Sequence, residues 1–458
     1  MKVVICGAGQ VGFHIARYLA GEDNDVTVVD QSPELIGKIN DQLDVQAFVG
    51  HASHPDVLER AGAEEANMLI AVTFADEVNM IACQVAHTLF NVPMKIARIR
   101  QQNYLNPMWS NLFARDQLPI DVIISPEIEV ARAITRRIRA PGAFDMIRMG
   151  DDRVRVIGVR CNERCPVVHT PLRQLTSLFP DLNITVMAIF RNETMVIPNA
   201  DDQMLPGDDV YFIADSDHVP RAMAVFGHDE KETRKIVIVG GGNIGTTLAA
   251  ELDSFGEGYS AKIVELNKSQ ARRVAELLPT TVIIQGSALD DEILEEAGIR
   301  NADAVVAVTD DDETNILSSL LCKRFGVERA ITLVTSGSYG PLITTLGIDV
   351  VVSPREITAS TILQHVRRGR IRQVHSLRDG VAELIEAEAM ETSNLVGEAL
   401  RDAKLPSDVI IGAIVRGDQV IIPRPDTVVQ TKDRVILLAA AKSVKKMEKM
   451  FAVRLEYF

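Results

Sequence analysis

The segment VVICGAGQVG, residues 3–12, decides how the rest of the chain is read. An uncharged run suited to a buried strand leads straight into Gly7, Gly9 and Gly12, and a helix-compatible stretch follows. In that strand–turn–helix context a G-x-G-x-x-G pattern marks a dinucleotide-binding fold. Gly7 permits the tight turn, Gly9 the approach of a pyrophosphate, and Gly12 the contact of helix with sheet. Exposed amides at the helix start supply the anion site. Asp30 closes the next apolar run, VTVVD, where its carboxylate can accept from ribose hydroxyls and repel a 2′-phosphate, which favours NAD over NADP.

The same pattern returns as GGGNIG, residues 240–245, followed by AKIVE ending at Glu265. Gly240, Gly242 and Gly245 take the glycine roles there, and Glu265 takes the ribose role. QAFVGHASHPDVLERAG (46–62) matches VIIQGSALDDEILEEAG (282–298), and LIAVTFADEVNM (69–80) matches VVAVTDDDETNI (305–316). DVIISPE (121–127) matches DVVVSPRE (349–356). The similarity extends to MVIPNADDQMLPGDDVYFIA (195–214) and VIIPRPDTVVQTKDRVILLA (420–439). Units this long are duplicated domains, not solenoid repeats.

Each half therefore reads as a larger α/β module and a smaller β-rich one. The fold class is α/β: two Rossmann-like parallel-sheet domains, each followed by a small α+β domain, in tandem duplication. The expected boundaries are 1–123, 124–228 with a linking helix at its start, 232–350, and 351–458 with a second linking helix. In the larger module, strands alternate with helical patterns, the signature of a parallel sheet covered on both faces. In the smaller modules only RVIGV, NITVMAIF and VYFIA, and AELIEA, IIGAIV and VILLA, read as strands. They carry no glycine fingerprint, which points to regulation or assembly.

Further site candidates follow from strand ends, where open α/β sheets bind ligands. Gly50 and Thr73 end strands in the first half, and Gly286 and Thr309 hold the same places in the second. Arg98 and Arg100, in IARIR, are placed to meet a phosphate with charge-assisted bonds. The matching segment ITLVTSG has no arginine, so the two sites are expected to differ in ligand or affinity.

Other features carry less. His51 and His54 lack a third metal ligand nearby, and the acidic run Asp310, Asp311, Asp312 and Glu313 suits a helix start. Cys161 and Cys165 read as reduced thiols. With 5 cysteines in 458 residues there is no disulfide framework. A net charge of −15 argues against nucleic acid as the main partner, although RRGRIR (367–372) is locally basic. Its reading is a solvated helix end or an assembly contact. The first residues read as a strand entering a turn and not as a secretory leader, so a cytoplasmic location is expected. A nucleophile elbow, a phosphate-binding GxxxxGK[ST] loop and an HExxH pair are absent, which leaves an NAD-dependent oxidoreductase as the alternative to a sensor.

At this point MKVVICGAGQVG, VGHASHPDVLERAGAEEANMLIAVT, DEVNMIACQVA and IARIR in the first half, with IVIVGGGNIG, AVTDDDETNI, SLRDGVAE and IIGAIVRGDQVII in the second, resemble the TrkA family of bacterial potassium uptake systems, whose modules are called RCK domains. The resemblance covers essentially the whole chain. It implies a cytoplasmic regulatory subunit, peripheral to the inner face of the bacterial inner membrane, that gates a potassium-translocating subunit of the TrkH or TrkG type. It further implies self-association into a dimer or a tetrameric gating ring, and binding of NAD(H), with ATP or ADP as further ligands. Carried onto this sequence, the first site is Gly7, Ala8, Gly9, Gln10, Val11, Asp30, Thr73, Phe74 and Arg98. The second is Gly240, Gly241, Gly242, Asn243, Ile244 and Glu265. The segment VTSGSY (334–339) departs from the basic or amide side chains that many relatives place there.

Overall fold

In a computed structural model the chain divides into two compact units, Met1–Thr135 with Thr233–Val366, and Arg136–Glu232 with Arg367–Phe458. The structure describes every residue except 22–23, 115, 141, 180–181, 193, 229–232, 257, 337–338, 340–342, 344–345, 367–370, 379, 394, 404 and 452–458. Most of the basic run 367–372, and residues 337–338 of the VTSGSY segment, therefore lie outside the described residues.

The first module is a six-stranded parallel sheet of β1 (Lys2–Cys6), β2 (Asp25–Asp30), β3 (Gln46–Val49), β4 (Met68–Ala71), β5 (Met94–Arg98) and β6 (Val122–Ile124), in the order β3-β2-β1-β4-β5-β6. The central strands are apolar over residues 3–6 and 68–71 because helices cover both faces: Val3, Ile5 and Ile70 face one core, and Val4, Cys6 and Leu69 the other. The strand order reverses between β1 and β4, which opens a crevice at their carboxyl ends.

The small module that follows is antiparallel. Its strands β7 (Ala143–Met149), β8 (Val154–Arg160), β9 (Ile184–Arg191), β10 (Thr194–Val196) and β11 (Asp209–Asp215) lie in the order β10-β9-β11-β8-β7. The second half repeats both plans. Strands β12 (Lys235–Val239), β13 (Ser260–Glu265), β14 (Val282–Gln285), β15 (Ala304–Ala307), β16 (Arg329–Leu333) and β17 (Val350–Val352) form the order β14-β13-β12-β15-β16-β17. Strands β18 (Ile371–Leu377), β19 (Ala382–Glu388), β20 (Val409–Arg416), β21 (Gln419–Ile421) and β22 (Arg434–Ala440) form β18-β19-β22-β20-β21. The expected α/β duplication is what the chain forms. The small sheets hold two strands more apiece than the sequence suggested, β7 and β10 in one and β18 and β21 in the other.

Within the first unit the linker helices are exchanged. Helix Pro354–Val366, at the end of the second α/β module, buries Ala359, Ile362 and Leu363 against Ile15 and Leu19 of the first module's fingerprint helix. Helix Pro126–Ile138 reaches the second module's helix Asn243–Ser254, where Thr135 Oγ1 donates to Glu251 Oε2 at 2.6 Å. In the second unit the two small sheets share a core. Met187, Ala188 and Ile213 meet Ala413, Val415 and Ile436 there. The duplication extends to ion pairs: Arg191 with Asp208 and Arg416 with Asp433 are both 2.7 Å apart, and each aspartate is buried. Among the described residues no helix is long and apolar enough to cross a membrane.

Candidate nucleotide-binding cleft

The first fingerprint builds its site from backbone. Gly7 adopts φ +114°, and a Cβ there would also sit 2.9 Å from Thr73 N. Helix Gln10–Ala20 starts so close beneath this turn that a Cβ on Gly12 would lie 1.8 Å from Gly7 O. Gly240, at φ +104°, and Gly245, whose Cβ would lie 2.0 Å from Gly240 O, repeat both constraints. Gly9 and Gly242 differ from these four: a Cβ on either would meet nothing within 4 Å, because both border open space. The helices they cap have no capping side chain and no acidic residue in the first turn. Their leading amides are thus available to an anion.

The acidic residues at the next strand ends brace these turns. Asp30 Oδ2 accepts from Ala8 N at 2.7 Å, and Oδ1 from Ser32 N at 2.8 Å. Glu265 accepts from Gly241 N and Asn267 N, each at 2.7 Å. A carboxylate has about four acceptor positions, so each retains capacity for ribose hydroxyls.

Both fingerprints open onto one cleft of about 1370 Å³ within the first unit. A single drug-sized ligand occupies a pocket of roughly 300–1,000 Å³, so the cleft has room for more than one. Of the anticipated residues, Gly9, Gln10, Val11, Asp30, Thr73, Phe74, Arg98, Gly240, Gly242, Asn243, Ile244, Glu265, Gly286 and Thr309 line it. Gly7, Ala8, Gly12, Gly50, Gly241 and Gly245 do not; they shape the turns and strand ends behind it, as where Gly50 packs on Val57.

A buried asparagine in each half joins the two strand ends beside the crevice. Asn79 Oδ1 accepts from Thr73 N at 2.8 Å, and its amide donates to Thr73 O at 3.1 Å and Arg98 O at 2.9 Å. Asn315 repeats the set with Thr309 N at 2.8 Å, Thr309 O at 3.1 Å and Leu333 O at 3.1 Å. Asp76 accepts from Arg100 N and Gln101 N, and Asp312 from Thr335 N and Ser336 N. These four side chains were missed as site residues, although their recurrence at a fixed spacing in both halves was a visible signal.

The cleft's electrostatics centre on Arg98. Burial, reinforced by Arg100, pulls its guanidinium below the ordinary arginine value. One of its amino groups donates to Thr73 O at 2.9 Å, while Nε is buried without a partner. Such an atom calls for an anion. Arg100 spends its Nε on Glu127 Oε1 at 2.9 Å and lies over the Phe74 ring, 5.5 Å from its centroid. Phe74 is 83% exposed and offers a flat apolar face to a base.

The other candidates have local partners. The His51 and His54 rings stack 4.8 Å apart, and His51 Nδ1 pairs with Ser53 Oγ at 2.9 Å. Asp311 caps its helix through Thr314 N at 2.7 Å, and Glu313 accepts from the Tyr339 hydroxyl. Cys161 and Cys165 are free and buried, their sulfurs 4.0 Å apart.

The chain matches the TrkA-N domain over residues 3–126 and 236–354 and the TrkA-C domain over 150–227 and 384–452. It is 54% identical to the Trk system potassium uptake protein TrkA of Azorhizobium caulinodans across the full length of both chains. The same-named protein of Halomonas elongata is 43% identical over 100% of both chains, and that of Vibrio alginolyticus 42% over 98% of each. Among solved structures, the GsuK RCK domain superposes with a TM-score of 0.61 at 18% identity, covering 99% of this chain and 95% of that one. The GsuK channel bound to NAD gives 0.58 at 18% identity, over 99% and 79%. At such identities the likeness concerns the fold.

Proposed function

This chain belongs to the TrkA family of Trk system potassium uptake proteins, and on that premise we propose that it is the nucleotide-sensing regulatory subunit of a Trk-type potassium uptake system. TrkA-N and TrkA-C domains are regulatory and non-catalytic, so the cleft acts by binding and not by turnover. NAD(H) is the proposed ligand of the first half, held by the amides after Gly9, by Asp30 and by Arg98, with ATP or ADP as further ligands of the cleft. The observation that carries this reading is that both fingerprints, each with an uncapped helix start and a strand-end carboxylate, open onto the same cleft. The NAD-bound GsuK channel, which shares the fold, adds support.

A ligand shifts a conformational equilibrium only as far as it prefers one state. A nucleotide seated between the two α/β modules touches both, so its affinity depends on how far apart they stand. In this reading the chain assembles into dimers and a tetrameric ring on the cytoplasmic face of the inner membrane, and the ring passes the change to a TrkH- or TrkG-type subunit that carries the potassium. Reconstituting such a subunit in vesicles and following potassium flux with the chain and each nucleotide tests this. A nucleotide-dependent change in flux that requires the chain is expected; flux indifferent to chain and nucleotide together would overturn the reading.

A further inference from the structure

The hydrogen bonds of the two halves align the cleft residue by residue. Asn79 binds Arg98 O where Asn315 binds Leu333 O, and Asp76 receives Arg100 N where Asp312 receives Thr335 N. Leu333 and Thr335 therefore stand where the first half has two arginines. At the linker helices, Glu129 N donates to Ser125 O and Ile357 N to Ser353 O, which pairs Glu127 with Arg355.

The charge has moved accordingly. In the first half Glu127 takes up Arg100, and Arg98 is left with a buried, unpartnered Nε. In the second half the strand end carries no cation, but Arg355 lines the same cleft and its Nε is likewise buried and unpartnered. Asp310 and Asp311 also line that side, where the first half has Phe74 and Ala75. Among the described residues that line the second half of the cleft, Arg355 is the one cationic side chain; the others are carboxylates and neutral groups.

We propose that Arg355 is the phosphate-binding residue of the second half, a guanidinium brought by the linker helix in place of the missing strand-end arginine, so that this site takes a phosphate-bearing nucleotide. A half-buried arginine whose buried Nε has no partner is well suited to a phosphate oxygen. The inference rests on the nucleotide reading of the cleft and assigns which side chain in the second half meets the phosphate.

The test isolates the second site with Gly9→Val, whose new side chain enters open space at the first. ADP and adenosine are titrated calorimetrically into that chain with Arg355 intact, with Arg355→Ala and with Arg355→Lys. Loss of a charge-assisted bond should weaken ADP about thirtyfold in the alanine variant, with partial recovery in the lysine variant and adenosine unchanged. Unchanged ADP affinity, or ADP and adenosine weakening together as for a packing defect, would overturn the proposal. If ADP binds a Gly242→Val chain but not the Gly9→Val chain, the inference fails while the first site stands. If it binds neither variant nor the unmodified chain, the nucleotide reading fails with it.

Discussion

The two α/β modules share a backbone and differ in charge. Strand order, positive-φ glycines, the brace from strand-end carboxylate to turn and the asparagine between strand ends are repeated almost atom for atom. Around that common frame, Phe74, Arg98, Arg100 and Glu127 are answered by Asp310, Leu333, Thr335 and Arg355. Holding the glycine turn open and setting the chemistry beside it are thus separate tasks. The first belongs to glycines and buried amides, the second to the side chains at the ends of β5 and β16 and at the linker helices.

If the frame is common, damage to it should cost both halves alike. The largest effect is expected from Gly12→Val and Gly245→Val, since a Cβ would meet a turn carbonyl at 1.8 Å or 2.0 Å and no rotamer relieves a clash with backbone. Each should lower the unfolding free energy by about 4 kcal/mol or more, measured by denaturant titration. A variant folding normally in one half alone would show that the two turns are not equivalent. A smaller loss, about 2 kcal/mol, is expected from Asn79→Ala and from Asn315→Ala, each of which leaves buried backbone groups unpaired. A loss at one of these asparagines without a comparable loss at the other would break the equivalence of the two frames.

The glycine fingerprints, the acidic strand ends and the internal repeat were legible because each is local and each recurs. What was missed has a physical pattern. All four unanticipated strands, β7, β10, β18 and β21, lie at sheet edges. There one side faces no neighbouring strand, and segments such as AFDMIRM mix charge with apolar residues instead of forming a plain hydrophobic run. The exchange of linker helices was equally hidden, because Ile362 and Leu363 look like any helix core until their partners in Gln10–Ala20 are known. Arg355 was visible in the alignment of SPE with SPR. Its meaning depends on both linker helices starting at the rim of one cleft, which no spacing in the sequence conveys.

Two nucleotide sites on one duplicated frame are what we propose for this chain, and that pairing is open to experiment. It is tested most directly by titrating NADH, NAD, ATP and ADP into the unmodified chain, the Gly9→Val chain and the Gly242→Val chain, with the unfolding midpoint recorded for each. Two binding events in the unmodified chain, one removed by each valine with the midpoints unchanged, is the result expected. Absence of binding, or binding that neither valine disturbs, would contradict the account.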